Sequence, residues 1–418
     1  MKTTYFLAGT ALFAGLFLTN CNKKDEKPKR VQRTVSGTIT DSVWTAGSEI
    51  TITNHITLPA NQKLRIEEGV TVLFADTVVK PEFIVKGNLY VNGTASNPVR
   101  FTIPEAMQAG RTWGEAWGGI LPDPATCTEI LINYAEIAYG GAVTTEESPS
   151  VKEKLYKAKA GENVPAIWFG NETGKLVVMN SVIHNQKEDG LYIDAGQIIV
   201  ANNLFYTTGH TGADAVNTKS GTKADVCFNI MFSPNTNSVK TSNGGGKSQA
   251  DIRIYNNTMV NSGWRRPTIK GGSIWLEDGV IVHAHNNLFI NNRFGIKRDT
   301  KKKENANSTT GNNLYYGHDS TTVAHFQTND EILGGTNDIR GTTAGSNDPK
   351  LVNYPLSYDK FSAVFNTSWD FRLKSDSPCL TKGNTSANSH YSVTGLTLDG
   401  KVYKSPAPAN YIGAKGTN

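Results

Sequence analysis

The chain has 418 residues, with 42 basic against 37 acidic groups, a formal net charge of +5, and 40 glycines. So small an excess of positive charge excludes a basic nucleic-acid-binding surface. Beyond Cys21 there are three cysteines, Cys127, Cys227 and Cys379, with no Cys-x-x-Cys spacing; this excludes a disulfide framework and a zinc site and leaves buried thiols inside strands as the expectation.

Residues 1–20 carry Lys2 and an apolar run from Tyr5 to Leu18. That run is shorter than the roughly 20 residues a spanning helix needs, so it reads as a signal peptide. Leu18-Thr19-Asn20-Cys21 resembles a lipobox, with Asn20 replacing the usual small residue before the cysteine. The resemblance implies lipidation of Cys21, with the membrane as a partner through the acyl chains. Residues 21–34 are charged at first and contain Pro28, which predicts a disordered tether. Lys23-Lys24-Asp25-Glu26 looks like the signal that sends some lipoproteins to the outer face of the outer membrane.

Residues 35–414 are expected to form one domain. Its N-terminal half alternates apolar and polar residues, as in Glu49-Ile50-Thr51-Ile52-Thr53 and Val70-Thr71-Val72-Leu73-Phe74, with Gly69, Gly87 and Gly93 as punctuation. From residue 180 a repeat takes over: Asn180-Ser181-Val182-Ile183, Asn202-Asn203-Leu204-Phe205, Phe228-Asn229-Ile230-Met231, Asn256-Asn257-Thr258-Met259, Asn286-Asn287-Leu288-Phe289 and Asn312-Asn313-Leu314-Tyr315. The second residues lie 22, 26, 28, 30 and 26 positions apart, the variable period of a solenoid that adds one coil per repeat. Stacking turns the asparagines into a ladder, in which an amide donates to one coil, accepts from another and tolerates left-handed dihedrals. Ile183, Phe205, Met231, Met259 and Phe289 become stacked core residues.

A second short strand follows in each coil: Ile167-Trp168-Phe169, Leu191-Tyr192-Ile193, Val216-Asn217-Thr218, Val239-Lys240-Thr241, Ile274-Trp275-Leu276 and Ile296-Lys297-Arg298. Period-two alternation turns the first residue of each inward and the middle one outward.

Ile66-Glu67-Glu68-Gly69-Val70-Thr71-Val72 with Gly87-Asn88-Leu89-Tyr90-Val91-Asn92-Gly93-Thr94 resembles the opening coils of bacterial β-helix lipoproteins. Asn347-Asp348-Pro349, Trp369-Asp370-Phe371-Arg372-Leu373 and Tyr411-Ile412-Gly413-Ala414 are similar to the closing segment of right-handed β-helix proteins of the pectate-lyase-like superfamily. The resemblance implies an all-β, right-handed parallel β-helix solenoid with a C-terminal capping segment over about 347–414. That fold hosts lyases, hydrolases, adhesins and inert scaffolds, so function must be argued from the site.

The outward column Trp168, Tyr192, Asn217, Lys240, Trp275 and Lys297 is the expected glycan-binding surface: aromatic faces stack on sugars, and the polar residues meet hydroxyls or uronate carboxylates. Trp168, Tyr192, Asn217, Trp275 and Lys297 are its ligand-binding candidates. The competing reading covers the aromatics with the insertion from Ala142 to Pro165, as a satellite core. Asp189 and Asp214 precede equivalent turns and are candidates for a calcium pair or for catalysis, with Lys219 and Lys240 as candidate bases and Lys297 and Arg298 on the same face. Gly209-His210-Thr211 and Gly295-Ile296-Lys297-Arg298 are only partial echoes of a polygalacturonase-like hydrolase, and His283 and His285 share a strand face without a third metal ligand.

The leading expectation is a lipid-anchored protein of the outer-membrane surface that binds an extended glycan or acts as an envelope scaffold. The alternatives are a polysaccharide lyase, with Ca2+ as its cofactor, or a glycoside hydrolase on an acidic polysaccharide, and an adhesin.

Overall fold

A computed structural model describes residues 30–418. The expected signal peptide, Cys21 and most of the expected tether lie outside the described residues. Gln32–Thr38 is already a strand, so the ordered domain opens inside the stretch expected to be tether.

The chain winds into a right-handed parallel β-solenoid of about 11 turns. A coil lays down three short strands, and each sheet is the stack of equivalent strands. The first sheet contains Ile167–Phe169, Leu191–Ile193, Val216–Thr218, Asn237–Ser242, Gly272–Glu277 and Ile296–Arg298. The second sheet has ten strands and runs from Val43–Trp44 to Thr309–Gly311. The third contains Val182–Gln186, Leu204–Thr208, Ile230–Phe232, Thr258–Val260, Leu288–Ile290 and Leu314–Tyr316. In the opening coils the ten-residue strand Glu49–Leu58 runs through the first and third sheets without a break, pairing with Thr71–Phe74 near one end and Phe83–Val85 near the other.

Alternation sets the core. Ile50, Ile52, Ile56 and Leu58 point inward from one strand, and Ile183, Phe205, Met231, Met259 and Phe289 stack in successive coils, all essentially inaccessible. Burying such side chains contributes about 1.5–3 kcal/mol each. Cys127, Cys227 and Cys379 are free and buried, but only Cys227 sits in a strand; the other two lie in connections between strands.

The asparagine ladder divides two duties between neighbouring residues. Asn203, Asn229, Asn257 and Asn287 each donate from Nδ2 to the Oδ1 of the next ladder asparagine at 3.0–3.1 Å. Each also holds a carbonyl of the preceding strand at 2.9 Å. Before those four, and before Ser181 and Asn313 at equivalent positions, the preceding residue takes the left-handed turn: Asn180, Asn202, Phe228, Asn256, Asn286 and Asn312 have φ between 52° and 60°.

Residues 347–414 do not cap the end of the helix, contrary to the sequence expectation. The end is closed by the short helix Ser320–His325 and the loop after it, where Phe326 packs edge-on against Tyr315 at 5.5 Å. The closing segment runs back along the outside as a strap. Leu351, Tyr354, Phe371 and Leu373 cover Phe232, Val260 and Ile290 of the third sheet. The hairpin Leu396–Leu398 with Lys401–Tyr403 joins Tyr391 over Tyr90, Leu131, Val177, Ile199 and Tyr255 of the second sheet. It reaches coils near the N-terminus, where Asp399 pairs with Arg65 at 2.5 Å and the Tyr403 hydroxyl donates to Asn92 Oδ1 at 3.2 Å. Flat outward rows of apolar residues on a sheet need such a cover.

Candidate functional site

The outward column follows the expected register: Trp168 pairs with Tyr192, Tyr192 with Asn217, Asn217 with Lys240, Lys240 with Trp275 and Trp275 with Lys297. Exposure differs from the expectation. Trp168 and Tyr192 are each only 5% exposed, because Leu155, Tyr156, Ala158 and Val164 of the insertion pack over them. Tyr156 meets Tyr192 edge-on at 4.9 Å, and Lys157 Nζ lies 4.8 Å above the Tyr192 ring. The insertion is latched by Glu82, which accepts the backbone N–H of Ser150 at 2.8 Å and its hydroxyl at 2.6 Å. The satellite-core reading therefore holds for Trp168 and Tyr192, and no open aromatic platform exists there.

Where the insertion ends, the column opens into a cleft of about 450 Å³. Its floor is Tyr192, Asn217, Lys240 and Trp275, four rungs that span roughly 14 Å at ~4.8 Å per coil. One wall is built from the turns between the third and first sheets, which present Glu188, Asp189, Asp214, Arg266 and Lys270; Asn237 at the head of its strand, Tyr156 and Lys157 of the insertion, and Glu277 and Asp299 complete the lining. Arg265 braces the turn wall by donating to the carbonyls of Thr208, Gly209 and Ser233 at 2.6–2.9 Å. Gly271 lets the wall close: its φ is +85° and a Cβ there would stand 2.2 Å from the Thr236 carbonyl.

Asp189 and Asp214, predicted to approach each other, do so. Asp214 donates its backbone N–H to Asp189 Oδ1 at 2.6 Å, and Asn217 Nδ2 donates to Asp189 Oδ2 at 3.1 Å. Asp214 Oδ1 accepts from the backbone and side-chain amides of Asn237 at 2.9 and 2.7 Å. Burial raises the pKa of Asp189 well above the ordinary carboxyl value, and the charges of Asp214 and Glu188 push it the same way. Burial raises Asp214 too, while Lys240 and the Asn237 hydrogen bonds oppose it. Glu188 is pushed up to about 7 by burial and by Asp214.

The two lysines go in opposite directions. Burial, then the nearby Lys240 charge, lowers Lys219. Burial also acts against Lys240, but the charges of Asp214 and Glu277 more than reverse it, and Lys240 pairs with Glu277 at 3.2 Å. Lys219 stands beside the floor, 3.8 Å from Glu277 and 5.8 Å over the Tyr192 ring.

Other candidates lie elsewhere. Lys297 turns to Glu331 at 2.9 Å and Arg298 to Glu304 at 3.5 Å, outside the cleft. Asp194, two residues beyond Tyr192 on the same outward face, accepts the Trp168 indole N–H at 2.7 Å. Sequence reasoning missed Glu188, Tyr156, Lys157, Arg266 and Lys270. Adjacent acids in Glu188-Asp189 and adjacent arginines in Arg265-Arg266 were the available signals, whereas no spacing in the sequence places Tyr156 and Lys157 of the insertion beside Tyr192.

Among the described residues no three His, Cys, Asp or Glu side chains form a metal-binding group. Calcium takes six to eight oxygen ligands, whereas both oxygens of Asp189 and one of Asp214 already accept N–H groups. This donor set does not fit calcium. No helix among the described residues is long and apolar enough to cross a membrane.

No family model matches the sequence, and no curated protein does. Among solved structures, the chain is similar to pectate lyase Pel9A, at 13% identity over 89% of this chain and 88% of that one, with a TM-score of 0.33. It is also similar to a mutant of the periplasmic alginate epimerase AlgG, at 12% identity over 67% of this chain and 73% of that one, with a TM-score of 0.21. The coil itself, with three parallel sheets and an internal asparagine ladder, is that of a right-handed parallel β-helix. No substrate or residue role is carried over from either structure.

Proposed function

We propose that the protein binds an anionic glycan in the cleft over Tyr192, Asn217, Lys240 and Trp275 and performs acid–base chemistry on it, as a polysaccharide lyase or glycosidase. The observation that carries this reading is the juxtaposition of Asp189 and Asp214 with Lys240 in a cleft long enough for several sugar units. The lining holds four cations, Lys157, Lys240, Arg266 and Lys270, against five carboxyls, Glu188, Asp189, Asp214, Glu277 and Asp299. Three of those carboxyls, Glu188, Asp189 and Asp214, are pushed toward the neutral form, so the balance favours an anionic ligand.

The roles follow from the environments. Lys240, kept cationic, suits a substrate carboxylate; Lys219, eased toward its neutral form, suits proton abstraction; Glu188, pushed up to about 7, suits protonation of a leaving oxygen. Trp275 offers a half-exposed ring at the end of the floor for stacking.

The test incubates residues 31–418 with acidic and neutral polysaccharides and follows unsaturated-uronate absorbance together with reducing ends. Product from an acidic glycan, lost in Lys219→Ala, supports an enzyme. Binding in affinity electrophoresis without product reduces the reading to a glycan-binding protein, and neither signal removes it.

The same proposal places the protein at the outer-membrane surface through lipidated Cys21, supported by the lipobox-like sequence and the following Lys23-Lys24-Asp25-Glu26. Radiolabelled palmitate should enter the full chain and not Cys21→Ala; equal labelling of both overturns the anchor.

A further inference from the structure

A second concavity, of about 650 Å³, lies on the second sheet, on a different side of the coil from the first-sheet cleft. Its back is made by Arg253, His283, His285 and Thr309, with Asn312 and Asn337 at the edge, and Asn384, Ser386 and Asn388 of the strap form its lip. The sheet's outward columns explain why it exists. One column reads Leu131, Val177, Ile199, Asp225, Arg253, His283, Thr309 from coil to coil. Its first three members are buried beneath the strap hairpin and Tyr391. At Asp225 the column turns polar, and Asp225 holds the strap by accepting from Ser389, Ser405 and the backbone of Tyr391. Beyond it the strap stands away from the sheet and leaves the concavity open. A row that needed only a cover would have stayed apolar.

The lining is rich in hydrogen-bonding groups and poor in free charge. Arg253 is the lone formal cation of the lining at neutral pH; it is committed to Asp251 at 3.0 Å and donates from Nε to His390 at 3.2 Å. No carboxylate lines the cleft. His283 and His285 meet at the hydroxyl of Thr309, 2.7 Å from His283 Nδ1 and 3.0 Å from His285 Nε2, which fixes both rings. The groups facing His283 are Arg253, Asp251, His285 and His390; burial, then Arg253, pushes His283 down to about 4, and burial lowers His285 as well. Both rings are therefore neutral hydrogen-bonding groups at pH 7. A strongly anionic ligand would find no free cation here, a metal ion no carboxylate, and an apolar protein segment no apolar wall.

We propose that this cleft between the second sheet and the strap is a second binding site, specific for an uncharged, hydroxyl-rich saccharide. Neutral imidazoles, threonine hydroxyls and asparagine amides match sugar hydroxyls in both donor and acceptor roles. The site is independent of the acid–base cleft and goes beyond the function proposed for it: a protein that holds a neutral glycan here keeps an anionic chain within reach of Lys240.

The test is calorimetric titration of residues 31–418 with cello-, xylo-, manno- and β-1,4-galacto-oligosaccharides. At least one should bind, at least about tenfold more weakly to the double variant His283→Ala, Thr309→Val. Binding should be unchanged in Lys240→Ala, which separates this site from the first. Circular dichroism and the melting temperature of the double variant check that its fold survives; if it unfolds, Ser386→Trp, which fills the lip from the exposed strap, replaces it with the same expected loss. No binding by any of the four oligosaccharides, or binding that Lys240→Ala abolishes and the cleft variants do not change, overturns the proposal.

Discussion

Asp214 donates its backbone N–H to Oδ1 of Asp189 on the preceding coil at 2.6 Å, while the Oδ1 of Asn217, whose Nδ2 bonds the other oxygen of Asp189, is buried without a partner. Rotating the Asn217 amide by 180° exchanges its nitrogen and oxygen. A proton on Asp189 would then donate to that orphaned oxygen. This is the state that burial and the neighbouring acids favour.

Asp189→Asn should therefore cost little, since the new amide donates to the rotated Asn217 and still accepts from Asp214. Asp189→Ala leaves the buried Asp214 N–H without a partner and should lower stability by about 1–3 kcal/mol. Urea denaturation at pH 7 checks the difference between the two variants. A larger loss in the asparagine variant would mean that Asp189 is ionised.

Glu188 gives the fold a pH dependence of defined sign. Its pKa rises from 4.5 to about 7, with burial as the main cause and Asp214 second. Between those values the folded state holds a proton that the unfolded chain has released, so this contribution is present below pH 4.5 and is lost as pH rises toward 7. Glu188→Gln should flatten that decline and melt higher than the native chain at pH 8. Melting curves from pH 4 to 8 decide it, with equal slopes counting against the assignment.

Lys240 should carry anion recognition in the first-sheet cleft. Losing one charge-assisted hydrogen bond costs about 1.5–3 kcal/mol, so Lys240→Ala should weaken an acidic glycan by about 10–100-fold. Lys297→Ala, in the same outward column but outside the cleft, should leave affinity unchanged. Affinity electrophoresis of both variants in one gel makes the comparison.

The asparagine ladder shows which features were legible in the sequence. Spacing alone gave the coil period, the stacked core residues and the inward and outward faces of the first sheet, because a parallel stack repeats its contacts from rung to rung. Asn257 is fully buried, donates to Val226 O and Asn287 Oδ1, and accepts from Asn229. Asn257→Ala should cost about 3 kcal/mol by stranding several of these groups, whereas Asn202→Gly, at a left-handed φ of 58°, should be nearly neutral. Chemical denaturation of the pair measures both. Trp168 was left with two readings for the converse reason: whether an outward ring is open depends on the insertion and its Glu82–Ser150 latch, contacts across 68 residues that no periodicity encodes.

The strap was misplaced for the same reason, and its attachment gives the last prediction. Asp225, in the second sheet, accepts from the hydroxyls of Ser389 and Ser405 at 2.6 Å each and from the backbone N–H groups of His390 and Tyr391 at 2.9 and 3.0 Å. One buried side chain thus fixes both edges of a segment whose own strands form only two-stranded hairpins, and isolated hairpins are marginal in water. Asp225→Ala removes all four acceptor contacts, whereas Asp225→Asn keeps one oxygen as an acceptor. The alanine variant should release residues near 384–405 to limited proteolysis while the coils, held by their own ladders, keep their far-ultraviolet dichroism. The buried Cys227, two residues away, should then react with a thiol reagent faster than in the native chain. Loss of the β signal together with the strap would show that the coils depend on their cover, and unchanged proteolysis would show that the apolar contacts of Tyr391, Leu396 and Tyr403 hold the strap without Asp225.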